Sequence, residues 1–152
     1  MIKIIISACL LGKRCRYDGS QKVYTELDFL QNNPEIKLIP ICPEQLGGLK
    51  TPRSPSEIRG ERVVNRDGDD VTEAYRTGAE KVLSLARKKG SGLAVLKSRS
   101  PSCGCGEIYD GTFSHTLIPG DGICASLLKA NGIAVLSEHD IERIRTYVEK
   151  NT

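Results

Sequence analysis

The run Gly92-Leu93-Ala94-Val95-Leu96-Lys97-Ser98-Arg99-Ser100-Pro101-Ser102-Cys103-Gly104-Cys105-Gly106 is where the architecture is easiest to read. Its first five residues are small or aliphatic without a break. An uninterrupted apolar run of this length reads as a strand covered on both faces, the habit of a parallel sheet. Ser, Pro and Gly then take over, which is turn chemistry. A cysteine therefore stands in a loop just past the end of a core strand. Two other apolar runs end the same way. Ile2–Ser7 leads into Ala8-Cys9-Leu10-Leu11-Gly12, and Ile36–Ile41 leads into Cys42-Pro43-Glu44. Pro40 lies near the end of the second run, where one lost ladder donor is tolerable.

Helical patterns separate these strands. A short one begins at Thr25, with Asp28 three residues on, and stops at Asn32-Asn33-Pro34. The longest begins at Asp70, with Glu73 three residues on. Its apolar stripe is Val71, Ala74, Tyr75, Ala79, Val82, Leu83 and Ala86, and it ends at Lys88-Lys89-Gly90. A third, capped by Asp121, covers about Gly122 to Ala130 and leads into a fourth strand, Ile133–Leu136. Ser137, with Asp140, caps a last helix whose buried stripe is Ile141, Ile144 and Val148. Gln45 to Arg59 reads as a long loop, with a small strand and turn at Glu61–Gly68. Ile108–Phe113 reads as a small hairpin about Asp110-Gly111.

Strand and helix thus alternate four times. The expected fold is α/β, a Rossmann-like three-layer sandwich with a mainly parallel sheet of about four strands plus a small β-hairpin. No repeat, low-complexity tract or domain boundary interrupts residues 1–152, so one domain is expected. In such sheets ligands bind beyond the carboxyl ends of the strands. Cys9, Cys42 and Cys103 all belong there, so they are expected to meet.

The composition sets limits on function. Of 152 residues, 39% are hydrophobic and 27% charged, ordinary for a soluble domain. A net charge of +3 is too mild for a protein that coats nucleic acid. No apolar run approaches the length of a membrane helix, and the apolar start is too short for a signal peptide. A cytoplasmic protein with no membrane and no nucleic-acid polymer as partner is expected. In that setting six cysteines point to metal or chemistry rather than to disulfides.

Several chemistries suit the three cysteines. Buried apolar thiols would sit inside strands rather than one step past them. Structural zinc favours four ligands in C-x-x-C pairs, and the chain has none. His115 and His139 each stand alone and read as surface or packing residues. An iron–sulfur cluster accepts thiolates from separate loops, and three ligands would leave one iron open as a Lewis acid. Cys15 could supply a fourth ligand and close the site, the arrangement of a carrier or sensor. A metal-free enzyme with Cys103 as nucleophile lacks an evident His base. Glu44, two residues past Cys42, is the natural general acid/base, with an apolar surrounding expected to raise its pKa. Ser100 and Ser102 could orient substrate or water, and Lys13, Arg16, Arg53, Lys97 and Arg99 could hold an anionic or carbonyl-bearing substrate. Gly120-Asp121-Gly122 before a helix is a weak anion-site signal.

The motifs Ser7–Gly12, Cys15–Gly19, Cys42-Pro43-Glu44, Gly47-Gly48-Leu49, Thr51-Pro52-Arg53 and Lys97–Gly104 together resemble the thiouracil desulfidase family. The resemblance covers nearly the whole chain. It implies a [4Fe-4S] cluster held by Cys9, Cys42 and Cys103, with the open iron taking the sulfur of a thiolated pyrimidine. It further implies that Glu44 and Ser100 assist proton transfer and water attack. The carbon–sulfur bond would break by hydrolysis without net redox. Cys15 lies in a family motif too. Cys105 and Cys124 fall outside the shared pattern, and the additional C-terminal domain of some members is not expected.

Overall fold

The computed structural model describes residues 1–152. In chain order its elements are β1 (Ile2–Ser7), α1 (Asp28–Gln31), β2 (Ile36–Ile41), α2 (Pro43–Leu46), β3 (Ser56–Arg59), β4 (Arg62–Asn65), α3 (Thr72–Lys89), β5 (Leu93–Leu96), β6 (Glu107–Tyr109), β7 (Leu117–Pro119), α4 (Ile123–Ala130), β8 (Ala134–Ser137) and α5 (Ile141–Lys150), with 3-10 turns at Ala8–Leu11 and Thr25–Leu27. Strands β1, β2, β5 and β8 form one sheet in the order β2-β1-β5-β8. Every pairing in it is parallel. Pro40 is thus on an edge strand, where a missing N–H is least costly.

Alternation along β1 sorts the side chains into two layers. Ile2, Ile4 and Ile6 pack with Leu27 and Leu30 beside α1 and with Ile144 and Val148 of α5. Ile5 points the other way, into Ala79, Val82, Leu83 and Ala86 of α3 and Ala125 and Leu128 of α4. Both faces of the sheet are covered, which is why β5 has no exposed residue. The expected three-layer α/β sandwich and parallel sheet are present.

Some local features differ from expectation. The stretch Gln45–Arg59 is not all loop. Pro43 stands at the first position of α2, where its fixed φ favours a helix start. Ser56–Arg59 pairs antiparallel with β4, so a hairpin stands where a lone strand was read. The second hairpin is wider than an Asp-Gly turn. Its strands β6 and β7 are joined across residues 110–116, with Phe113 and His115 both in the left-handed region at φ 59° and 60°.

The caps differ too. Asp70 accepts the Thr72 N–H at 2.9 Å, so it caps α3 from one residue outside the N-cap. Asp121 does not cap α4. Its carboxylate accepts the Gly106 N–H at 2.8 Å and pairs with Lys129 at 3.0 Å. The first N–H groups of α4 instead donate to the Pro101 and Ser102 carbonyls at 2.8–3.1 Å. That removes the anion site suggested by Gly120-Asp121-Gly122, and it fixes the Cys103 loop to α4.

One contact decides where the second cysteine loop lies. Helix α2 crosses α3 with Gly47 against Ala74 and Gly78 against Pro43. A Cβ added at Gly47 would stand 1.9 Å from the Ala74 oxygen, and one at Gly78 would stand 1.8 Å from the Pro43 oxygen. Only two glycines let the backbones approach this closely. The approach fixes α2, and with it Cys42 and Glu44, against the longest helix of the fold.

Candidate active site

The three neighbouring strands β2, β1 and β5 each deliver one cysteine at the carboxyl edge of the sheet. Cys42 follows β2 directly, Cys9 lies in the turn after β1, and Cys103 lies in the loop after β5. All three, with Cys15, border one cavity of about 580 Å3. The fourth strand contributes as well, because Glu138 follows β8 and borders the same cavity. Cys105 and Cys124 are not on its wall. The Cys105 thiol donates to the Val135 carbonyl at 3.6 Å, and Cys124 is sealed in the core under α4.

The thiols interact. The Cys42 thiol donates to the Cys15 carbonyl at 3.8 Å, and the Cys9, Cys15 and Cys42 thiols bear on one another's charge. The neighbouring Cys15 thiol, and then burial, push the Cys42 thiol far above its ordinary range. The Cys42 thiol pulls Cys15 down, but the Cys9 thiol, burial and the Cys9 charge together leave it raised. Burial pushes Cys103 up to about 11 against the pull of hydrogen bonds from Ser7 and Ser102. Loading these thiols with metal therefore releases protons.

Glu44 is buried, but its surroundings are polar. The Tyr75 hydroxyl donates to Oε1 at 2.8 Å. Arg53 Nε donates to Oε2 at 2.9 Å, and Arg53 Nη2 pairs with the same oxygen. Arg53 Nη2 also donates to the Cys15 carbonyl at 3.0 Å, which ties the Cys15 loop to the carboxylate. The apolar surrounding expected for Glu44 is replaced by an ion pair. The Glu44 charge and burial in turn push the Tyr75 hydroxyl well above its ordinary range.

Ser100 borders the cavity, and its hydroxyl is occupied. Its Oγ accepts the N–H groups of Ser102 and Cys103 at 3.1 and 3.0 Å and lies 3.1 Å from Ser102 Oγ. Ser100 builds the turn that presents Cys103. Arg16, Arg53, Lys97 and Arg99 line the cavity and Lys13 does not.

Sequence reasoning missed four participants. Glu138 is held by the Ser98 N–H and hydroxyl at 2.8 and 2.9 Å and by Lys97 at 3.0 Å. The strand-end rule that singled out the cysteines, applied to the fourth strand, would have found it. Tyr75 was read as part of a helical apolar stripe, and nothing in that pattern marks its hydroxyl. Ser7 was read as a strand end, and no pattern singled out Tyr24. His115 and His139 also border the cavity.

The donor set can be tested against a metal group. No three thiol, imidazole or carboxylate groups come close enough together to hold a single metal ion. A cluster suits the arrangement better, since its thiolates bind different irons and stand further apart. The negative charge of bound thiolates would meet Arg16, Arg53, Lys97 and Arg99 around the cavity. The Tyr24 hydroxyl is the one buried side-chain polar atom without a partner. It borders the cavity, and the nearby charges that bear on it are Cys9, Glu138, Arg16 and Glu26. An unpartnered hydroxyl on the wall leaves a polar position open to a group bound in the cavity.

Cavity and sheet together define a class: a Rossmann-like α/β protein with a thiol-lined cavity at the carboxyl edge of its strands. Within that class the chain belongs to the 2-thiouracil desulfurase family, whose model matches residues 4–140. It is 42% identical over 151 residues to the Bacillus subtilis (strain 168) protein YbbK, covering 93% of this chain and 99% of that protein. It also superposes on the solved structure of the [4Fe-4S]-dependent thiouracil desulfidase TudS (DUF523Vcz). The TM-score is 0.91 at 43% identity, covering 98% of this chain and 99% of that one.

Proposed function

We propose that this chain is a [4Fe-4S]-dependent desulfidase that removes sulfur from thiolated pyrimidines. The observation that carries this reading is the delivery of Cys9, Cys42 and Cys103 by three adjacent strand ends into one cavity beside a held carboxylate. Family membership and the likeness to the desulfidase TudS support it. When bound, a cluster on three thiolates supplies an iron with an open position, a Lewis acid for the substrate's sulfur. The protein's own groups do the rest. Tyr75 and Arg53 hold Glu44 so that it can take a proton from the attacking water. Water oxygen replaces sulfur on the ring carbon, and sulfur leaves as hydrosulfide with no net redox. Ser100 acts by holding the Cys103 turn.

The cavity is several times larger than a pyrimidine ring. With Arg53 held by Glu44 and Lys97 by Glu138, Arg16 and Arg99 are the cations along it that suit a base carrying an anionic group. Six free thiols suit a reducing compartment such as the cytoplasm. No helix is long and apolar enough to cross a membrane. Residues 1–152 act as one domain, since the last helix packs on the same core as the first strand.

The test is anaerobic reconstitution with iron and sulfide, followed by sulfide release from 2- and 4-thiouracil and their nucleosides and nucleotides. A loaded protein that frees sulfide from none of them sinks the activity. The place of Cys15 on the same cavity wall as Cys9 and Cys42 favours a second arrangement, a fully ligated cluster in a carrier or sensor. In that case replacing Cys15 by serine would destroy the cluster.

A further inference from the structure

Two buried hydroxyls converge on a single thiol. Ser7 closes β1 and is 2% exposed, and Ser102 is 1% exposed. Ser7 Oγ accepts the backbone N–H of Lys97, the first residue past β5, at 2.9 Å. With that lone pair engaged, its own proton goes to Cys103 Sγ at 3.4 Å. Ser102 Oγ reaches the same sulfur at 3.5 Å. The other two strand-end thiols have no hydroxyl donor. Cys42 is itself a donor, to the Cys15 carbonyl at 3.8 Å.

Packing alone does not ask for serine at position 7. Strand β1 is otherwise aliphatic apart from Lys3, and a buried hydroxyl there is costly unless both its donor and acceptor sides are used. Here both are used, and the donor side points at sulfur.

We propose that Ser7, assisted by Ser102, is a positioning residue for Cys103, drawing electron density from its sulfur and making it the weakest donor of the three thiolates. The proposal rests on the cluster reading above. Hydrogen bonds to ligating sulfurs help set the reduction potential of an iron–sulfur cluster, because they stabilise its more negative, reduced form. The same withdrawal of charge strengthens the Lewis acidity on which substrate binding depends. The effect is asymmetric by construction, since only the β5 ligand receives it.

The experiment compares wild type, Ser7→Ala, Ser7→Thr and Ser102→Ala, each reconstituted anaerobically. Iron and sulfide per chain are quantified, and the midpoint potential is read by redox titration followed by electron paramagnetic resonance. Ser7→Ala is expected to shift the potential to more negative values at unchanged iron and sulfide content. Ser7→Thr keeps the hydroxyl and restores the potential. Ser102→Ala shifts it in the same direction as Ser7→Ala. Equal potentials for wild type, Ser7→Ala and Ser102→Ala at equal loading overturn the proposal and leave the cluster reading standing. A wild-type chain that takes up no iron and sulfide overturns the cluster reading itself. Should Ser7→Ala fail to load, Ser102→Ala decides alone: its oxygen bridges no strands, so a shift supports the proposal and no shift overturns it.

Discussion

Substituting alanine for Gly78 sets two physical effects against each other. Gly78 lies inside the 18-residue helix α3. In an unencumbered helix interior, Gly→Ala stabilises by about 1 kcal/mol. Here the new Cβ would stand 1.8 Å from the Pro43 carbonyl oxygen and 2.7 Å from its carbon. Both atoms are backbone, so no side chain can swing away. Non-bonded contacts sit near 3.5 Å, so α2 and α3 must part by roughly 1.5 Å. Overpacking of this kind costs about 1–3 kcal/mol, and the backbone partner places Gly78→Ala at the top of that range. Set against the helix gain, a net loss of about 2 kcal/mol remains. For a domain of this size that lowers Tm by about 4–8 °C. The displaced helix carries Glu44 and follows Cys42 directly, so iron uptake falls as well. Thermal unfolding by circular dichroism and iron content after reconstitution measure the two effects. Ser84→Ala, on the exposed side of the same helix, gives the propensity baseline and should change stability by no more than about 0.5 kcal/mol. A Gly78→Ala protein at least as stable as wild type, with full iron loading, would refute the account of how α2 is placed.

Serine at Cys9, Cys42 or Cys103 should each abolish cluster retention, whereas serine at Cys15, Cys105 or Cys124 should leave iron and sulfide per chain unchanged. Tyr75→Phe removes one donor from a buried carboxylate, a hydrogen bond to a charge worth about 1.5–3 kcal/mol. It should lower kcat about tenfold or more with the cluster intact; an unchanged kcat would mean that the orientation of Glu44 is irrelevant. Tyr24→Phe deletes the orphan hydroxyl and should stabilise the cluster-free protein by about 1 kcal/mol in urea unfolding. Glu138 is driven up by burial, but the Ser98 N–H and Lys97 outweigh this and leave its carboxyl below its ordinary value. A carboxylate depressed in the folded state contributes stability that is complete above its unfolded pKa and lost as pH falls through the folded one. Wild type should therefore lose stability on acidification below about pH 4.5 more steeply than Glu138→Gln, whose urea midpoint against pH should be flatter there.

What the sequence made legible follows one line. Apolar runs are printed in the chain, and so is the residue that follows each. Because a parallel sheet gathers its carboxyl ends on one edge, the convergence of Cys9, Cys42 and Cys103 could be read without coordinates. Strand order could not. Nothing local says that β1 lies between β2 and β5 and so puts its cysteine between the other two. The holding of Glu44 was also hidden. Tyr75 repeats with the apolar stripe of α3, and its hydroxyl meets the carboxylate only because Gly47 and Gly78 let α2 come so close. Asp121 shows the opposite failure. Its position before a helix is that of a cap, yet Gly106 and Lys129 claim the carboxylate once the Cys103 loop has supplied the capping carbonyls.

Strand spacing itself bears on which metal group the site suits. Neighbouring strands stand about 4.8 Å apart, so ligands from β2 and β5, with β1 between, begin roughly 10 Å apart at the sheet edge. A single zinc ion needs its sulfurs within roughly 4 Å of one another, given bonds of about 2.3 Å. Closing that gap would demand long, flexible loops. Instead Cys42 follows its strand directly and Cys103 is fixed by Ser100 and by carbonyl bonds to α4, so neither can travel far. Cys15 borders the same cavity, its carbonyl held by Arg53. The sheet thus favours a ligand set spread over a multi-iron group, with three rigid positions supplied by strand ends.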